Sequence, residues 1–212
     1  MRIEPFDQHC RRCKRLAQHL DAVKSACPEY YAAPVPSFGE PDAALLVVGL
    51  APGMHGANRT GRPFTGDHAG IILYETLHRH GFCNRSRGDR VDDGLRLLGA
   101  RITNAVRCLP PQNKPLAAEI RECRTFLAHE LSQMPDGGVI VALGRIAHDS
   151  VLAAAGERAA AFTFGHGREH VLGKLILLDS YHCSRYNTQT RRLTPAMFDA
   201  VFSRARALCD AT

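Results

Sequence analysis

At 212 residues the chain is long enough to bury one substantial core and too short to need two. With 45% hydrophobic and 23% charged residues its composition is that of an ordinary globular protein, and no apolar run approaches the roughly 20 residues of a membrane span. A formal net charge of +6 suits a partner that carries phosphates, because a basic face gains affinity by releasing counterions, although many basic proteins bind no nucleic acid.

The opening Met1-Arg2-Ile3-Glu4-Pro5 lacks the charged-then-apolar pattern of a secretory signal, so a cytoplasmic protein is expected. In that reducing compartment its eight cysteines point toward metal binding or plain burial rather than disulfides.

Taken in chain order, Asp7–Ala26 reads as helical, and Leu45–Leu50 is a short aliphatic run typical of a buried strand. A glycine-rich loop, Gly49–Asp67, leads to a helix over Ala69–His80, with Asp67 as its candidate cap. A second strand over Ala100–Val106 precedes a helix at Leu116–Met134, which follows Pro115. A third strand, Val139–Leu143, runs into a helix over Arg145–Ala154. A fourth, Lys174–Asp179, leads to a polar loop and a last helix, opened by Thr194-Pro195 and reaching about Leu208. Strands alternating with helices imply an α/β fold over residues 1–212: a single domain with a central four-stranded, mostly parallel sheet flanked by helices. Ligands of such sheets sit beyond the carboxyl ends of the strands. Three of the four strands run into unusual polar loops there, so the site is expected on that edge.

Cys10 and Cys13 form a C-x-x-C pair, and Cys108 and Cys123 lie far downstream, at a strand end and in the helix after it. Four thiolates so arranged suit either zinc or an iron–sulfur cluster, and the spacing does not choose between them. Cys27, Cys83, Cys183 and Cys209 have no partner at ligand spacing and read as structural. In the Gly49–Asp67 loop, Phe64 reads equally well as a core anchor or as a stacking face for a base. Asp67 reads as a helix cap, a role compatible with catalysis. After the fourth strand, His182 combines with Arg185, Arg191 and Arg192 as a titratable group beside phosphate-binding cations. The other histidines, His55, His68, His78 and His148 among them, have no comparable setting.

The segments GLAPGMHGANRTGRPFTGD (Gly49–Asp67), VRCLPPQNKP (Val106–Pro115) and YHCSRYNTQTRRLTP (Tyr181–Pro195) together resemble the uracil-DNA glycosylase superfamily, in particular its type-5, iron–sulfur branch of bacteria and archaea. The resemblance implies a monofunctional glycosylase that flips uracil, and other deaminated or damaged bases, from double- or single-stranded DNA and hydrolyses the N-glycosidic bond. It implies a 4Fe–4S cluster on Cys10, Cys13, Cys108 and Cys123, uracil stacked on Phe64, a water held by Asp67, and His182 donating to O2 of the departing base. Gly49, Ala51, Asn104 and Asn113 complete the expected base-binding set. Ser184 to Thr190 forms the loop that enters the duplex, and Arg59, Ser184, Arg185, Asn187, Arg191 and Arg192 are the expected DNA contacts. Two departures matter. No carboxylate follows Gly49, where Leu50-Ala51-Pro52 stands, so Asp67 is the nearest candidate to orient water. Asn104 matches the base-reading asparagine of the type-4 branch and implies a narrower substrate range. A monomer working at the nucleoid, without a membrane, completes the expectation.

Overall fold

The computed structural model describes residues 3–211. Its sheet has the strand order β1-β3-β2-β4-β6-β5, in which β1 is Phe38–Gly39, β2 Leu45–Gly49, β3 Ala100–Asn104, β4 Val139–Leu143, β5 Glu169–Leu172 and β6 Leu175–Ser180. The four inner strands are mutually parallel, and β1 and β5 close the two edges in antiparallel pairing.

Alternation of side chains along the inner strands assigns them to two layers. Leu45 and Val47 of β2 face α3 (His68–Arg79) and α7 (Pro195–Asp210), in a core shared with Ile102, Val141, Leu73, Leu77, Phe198 and Phe202. Leu46 and Val48 face the opposite way, toward α4 (Ala117–Gln133) and α5 (Arg145–Ala155), with Ile140, Leu127, Leu131 and Val151. Both faces are covered, which is why β2 and β4 are aliphatic throughout rather than alternating with polar residues. A smaller core joins α1 (Lys14–Ala26), through Leu16, Leu20 and Val23, to Val106, Cys108, Cys123 and Phe126.

The four expected strands are present, and the sheet has two more. The β1 strand is only two residues long, and β5 carries exposed Glu169 and Val171, so neither offers an apolar run to read. The first helix begins at Lys14 rather than Asp7. Residues ahead of it turn instead, with the Asp7 carboxylate accepting from the His9 N–H at 2.8 Å, and this turn carries Cys10 and Cys13 into a shared cavity. The short helices α2 (Ala57–Thr60) and α6 (Arg185–Gln189) lie inside the two loops read as polar.

Candidate active site

Loops beyond the carboxyl ends of β2, β3 and β6 enclose a cavity of about 320 Å³ whose wall includes Ala51, Phe64, Asp67, Asn104, Asn113, His182 and Ser184. The parallel register places Gly49 directly beside Asn104. A side chain on Gly49 would collide with both the Asn104 amide oxygen and the Phe64 ring, so only glycine lets those groups approach.

Phe64 is buried and has a φ of 53°, a left-handed conformation that costs a bulky residue about 1–3 kcal/mol and persists only where its surroundings enforce it. Here they do. The Tyr74 hydroxyl donates to the Pro63 carbonyl at 2.7 Å, Arg62 Nε donates to Thr65 Oγ1 at 2.8 Å, and the Arg62 guanidinium is held by Asp93 at 2.7 Å. The Phe64 carbonyl presses against Gly70, where a Cβ would not fit.

Asp67 divides its two oxygens. Oδ1 accepts the Gly70 N–H at 2.9 Å and caps α3, while Oδ2 lies beside Gly53 and Gly56 on the cavity side. His182 follows β6, its ring stacked toward Phe64 with centroids 6.3 Å apart and planes at 30°. Burial holds its pKa below the ordinary 6.5, and the negative charge of Asp67 pulls weakly the other way. At neutral pH the imidazole is therefore uncharged and has one N–H to donate. Asn104 is buried, and its side-chain oxygen has no partner. An unpaired buried acceptor costs about 1–3 kcal/mol unless something entering the cavity completes it.

Arg59, Arg185, Arg191 and Arg192 are exposed and have no carboxylate partner among the described residues; Arg192 lies over the Tyr181 ring at 4.8 Å. Ser184 and Asn187 are engaged within their own loop. The Ser184 hydroxyl caps α6 by accepting from the Asn187 N–H, and the Asn187 amide donates to the His182 carbonyl at 2.8 Å. Asn113 is exposed at the rim, with a φ of 56°.

Several features lay outside the sequence reading. A second cavity, of about 310 Å³, adjoins the first, shares Leu50 and His182 with it, and is lined by Gly144, Phe164 and Tyr181. Tyr186 projects from the loop after His182, 72% exposed. His148, which sequence leaves without a setting, is fully buried: its Nδ1 pairs with Asp179 at 2.7 Å, and His170 reaches the other Asp179 oxygen at 3.1 Å. Those ligand atoms could gather a metal, but 2.7 Å is hydrogen-bond spacing, and the trio pins the 159–170 segment onto β6. His170 and Asp179 face each other across the β5–β6 hairpin, and His148 joins them from α5, 31 residues before Asp179, so the fold brings the three together.

A separate cavity is lined by Cys10, Cys13, Cys108 and Cys123, with Leu16, Ala17, Pro34 and Phe126. Burial, reinforced by the neighbouring thiols and carboxylates, pushes Cys13 up to about 11, and burial raises Cys108 and Cys123 as well. The Arg107 N–H lies 3.3 Å from Cys123 Sγ, and Arg12 Nε 3.4 Å from Cys10 Sγ. Four sulfurs from three chain segments, in an apolar cavity with N–H donors aimed at two of them, fit a thiolate-ligated metal centre. Cys83 and Cys183 are buried elsewhere, and Cys27 and Cys209 line no part of this cavity.

An α/β sheet that gathers an aromatic face, an unpaired amide, a neutral imidazole and a carboxylate beyond its strand ends defines a protein that accepts a flat polar ring. The family model described as the uracil DNA glycosylase superfamily matches residues 36–206. A type-5 uracil-DNA glycosylase of Thermus thermophilus is 49% identical over 94% of this chain and 93% of its own length. One from Mycobacterium tuberculosis is 43% identical over 94% of this chain and 78% of its own. A type-4 uracil-DNA glycosylase of Sulfurisphaera tokodaii is 28% identical over 91% of this chain and 78% of its own. The chain belongs to the uracil-DNA glycosylase superfamily and falls with its type-5 members.

Proposed function

We propose that this protein is a monofunctional DNA-repair glycosylase that takes uracil out of the base stack and hydrolyses its N-glycosidic bond, leaving an abasic site. The observation that carries the reading is the convergence of Phe64, Asp67, Asn104 and His182 on one cavity. As the bond breaks, negative charge grows on the uracil ring and positive charge on the sugar. A neutral His182 N–H aimed at O2 stabilises the leaving anion more than the intact base, which is what lowers a barrier. Asp67 keeps the oxygen that is not capping α3 for the sugar side, where it opposes the cationic charge and orients water. Phe64, fixed by its strained backbone, stacks on the base, and the unpaired Asn104 amide completes its hydrogen bonds on the ring edge. Gly49 and Ala51 leave room for that ring, and Asn113 closes the rim. The base leaves the stack at a cost of a few kcal/mol, least where it is mispaired. Arg59, Arg185, Arg191 and Arg192 bear on phosphates, and Ser184 and Asn187 shape the loop that presents Arg185 and Tyr186 to the duplex.

In the same reading Cys10, Cys13, Cys108 and Cys123 hold a 4Fe–4S cluster. Bound there, the cluster supplies a structural tie, because hydrolysis moves no electrons. Both cavities are lined by one chain, which supports a monomer acting on DNA; among the described residues no helix is long and apolar enough to cross a membrane. Incubation with uracil-, hypoxanthine- and ethenocytosine-containing oligonucleotides, followed by alkaline cleavage at abasic sites, tests the assignment. Uracil strands should be cut first and fastest; intact uracil strands would refute it.

A further inference from the structure

The α4 helix presents Ala117, Ile120, Arg121 and Arg124 at i, i+3, i+4 and i+7, one stripe along a groove, with Ile120 at its inner edge packed against the core that contains Cys123. Against it α5 sets Ile146, Asp149 and Ser150, and the two stripes form the sides of an open groove of about 350 Å³. Arg121 is exposed and Arg124 half-buried, and neither has a carboxylate or hydrogen-bond partner among the described residues; the Arg124 Nε is buried without one. The one carboxylate lining the groove, Asp149, is taken by Arg145 at 3.2 Å. Among the described residues the other arginines without a carboxylate are all exposed, whereas those withdrawn from solvent are paired, Arg15 with Glu119, Arg62 with Asp93, Arg101 and Arg107 with Glu130 and Arg206 with Asp210. A half-buried, unpaired Arg124 beside Arg121 is therefore an exception with a direction.

That direction is set by the neighbouring cavities. Ile146 lines both this groove and the second cavity, and the second cavity shares Leu50 and His182 with the base cavity. Both helices start at the carboxyl edge of the sheet, the edge on which the base cavity lies, so the groove and that cavity share one side of the molecule. We propose that the α4–α5 groove is a secondary DNA site, in which Arg121 and Arg124 bind the phosphodiester backbone beyond the nucleotides that flank the flipped base. It rests on the reading of the chain as a uracil-DNA glycosylase and extends its footprint along the substrate. Phosphate suits the groove because the free charge there is guanidinium, which matches phosphate in a planar fork, and because an exposed isoleucine and short side chains leave its floor open.

The test uses duplexes carrying a central uracil, with the arm on one side or the other shortened from about twelve to about four base pairs. Wild type should bind the long duplex more tightly than one of the two truncated forms. Arg121→Ala/Arg124→Ala should weaken the long duplex roughly tenfold, lower the salt slope of binding by about 2 for two phosphates lost, and leave the truncated duplex unaffected. Arg121→Glu alone should do the same in kind, which covers a fold disturbed at Arg124. Single-turnover excision at saturating enzyme should be unchanged, and Arg158→Ala, an exposed arginine at the other end of α5, should be silent. Equal losses on long and short arms, or no loss on either, would overturn the groove while leaving the excision assignment intact. A wild-type chain that binds duplex with this arm dependence yet releases no uracil would refute the excision assignment and keep the groove.

Discussion

The base cavity and the cysteine cavity are built from neighbouring segments on opposite principles. Around the cysteines polar groups are satisfied: Arg107 gives its backbone N–H to Cys123 and its guanidinium to Glu130 at 2.8 Å and Ser37 at 2.6 Å. Burial alone would raise the Glu130 pKa, but Arg107 and Arg101 outweigh it and hold it down at about 2. In the base cavity the reverse holds. Phe64 sits in a strained conformation, the Asn104 oxygen is unpaired, and Asp67 has one oxygen capping a helix and one at the cavity. One region has its polar groups paired within the protein, and the other leaves an acceptor open toward a cavity. A protein that must keep its shape while a bond breaks separates the two tasks, and the physical link between them is packing: Ala51 and Met54 of the first-motif loop lie against the core that contains the cysteines.

That contrast breaks most visibly if the cysteine region is damaged. Replacing Cys10, Cys13, Cys108 or Cys123 by Ser should abolish the brown colour expected of anaerobically purified protein and sharply lower its melting temperature. Excision should fall with it, because Ala51 and Met54 lose their backing. Cys27→Ser and Cys209→Ser should leave colour and stability in place. Stoichiometric zinc without iron in the wild type would replace the cluster assignment.

The opposite pattern is expected from the base cavity. His182→Ala should slow single-turnover excision by roughly 10²–10³, the usual loss for one donor to a developing anion, with colour and melting temperature close to wild type. Asp67→Asn should also slow it severely, yet asparagine caps helices about as well as aspartate, so the fold should survive. Affinity for DNA containing an uncleavable uracil analogue should change little, since the missing interaction belongs to the transition state. If His182→Ala melts as far below wild type as Cys108→Ser, the two regions do not divide stability from chemistry.

Much of this was legible in the chain. The inner strands are aliphatic runs because both faces are covered, and their ends announce the site because the polar, glycine-rich loops follow them. Aspartate at 67 reads correctly as a helix cap, since a cap is set by a few neighbouring residues, whereas the close approach that Gly49 allows is to Asn104 and Phe64, partners that only the fold supplies. What escaped depends on pairings across the fold. The β1 and β5 edges carry too few apolar residues to signal. The His148–Asp179–His170 trio and the Arg62–Asp93 clamp behind Phe64 join residues that no sequence pattern connects. The start of the first helix was masked by the cysteines: residues 7–13 have helical composition, but the turn that brings Cys10 and Cys13 together displaces it.

A finer comparison concerns which bases the cavity accepts. Asn104→Ala removes a base-edge partner without opening the strain at Phe64, so it should depress uracil excision roughly tenfold more than excision of ethenocytosine, whose etheno bridge replaces the N–H and carbonyl of that edge. A site built to hydrogen-bond one edge discriminates strongly against rings that lack it. Equal losses on both substrates would make Asn104 a packing residue of β3.

The smallest expected effect is a titration, and it tests whether the two reactive groups feel each other at all. In the folded protein burial holds the His182 pKa below 6.5, and Asp67 offsets part of that fall with its charge. Asp67→Asn deletes the offset and keeps the side chain's size, so the imidazole C–H signals of His182 should titrate at still lower pH than in wild type. The sign for stability follows. A histidine whose folded pKa lies below its unfolded value contributes stability that is present above the unfolded pKa and lost as pH falls through the folded one. Widening the gap should therefore make Asp67→Asn go on losing melting temperature at pH values below the wild-type His182 midpoint, where the wild type has stopped losing it on this account, with the two changing alike above that midpoint. An unchanged His182 midpoint would put Asp67 out of electrostatic reach of the base end of the cavity, leaving it to the sugar end and the helix cap alone. An upward shift would mean that the imidazole is held by some acceptor other than Asp67, and the pairing of the two residues would fail.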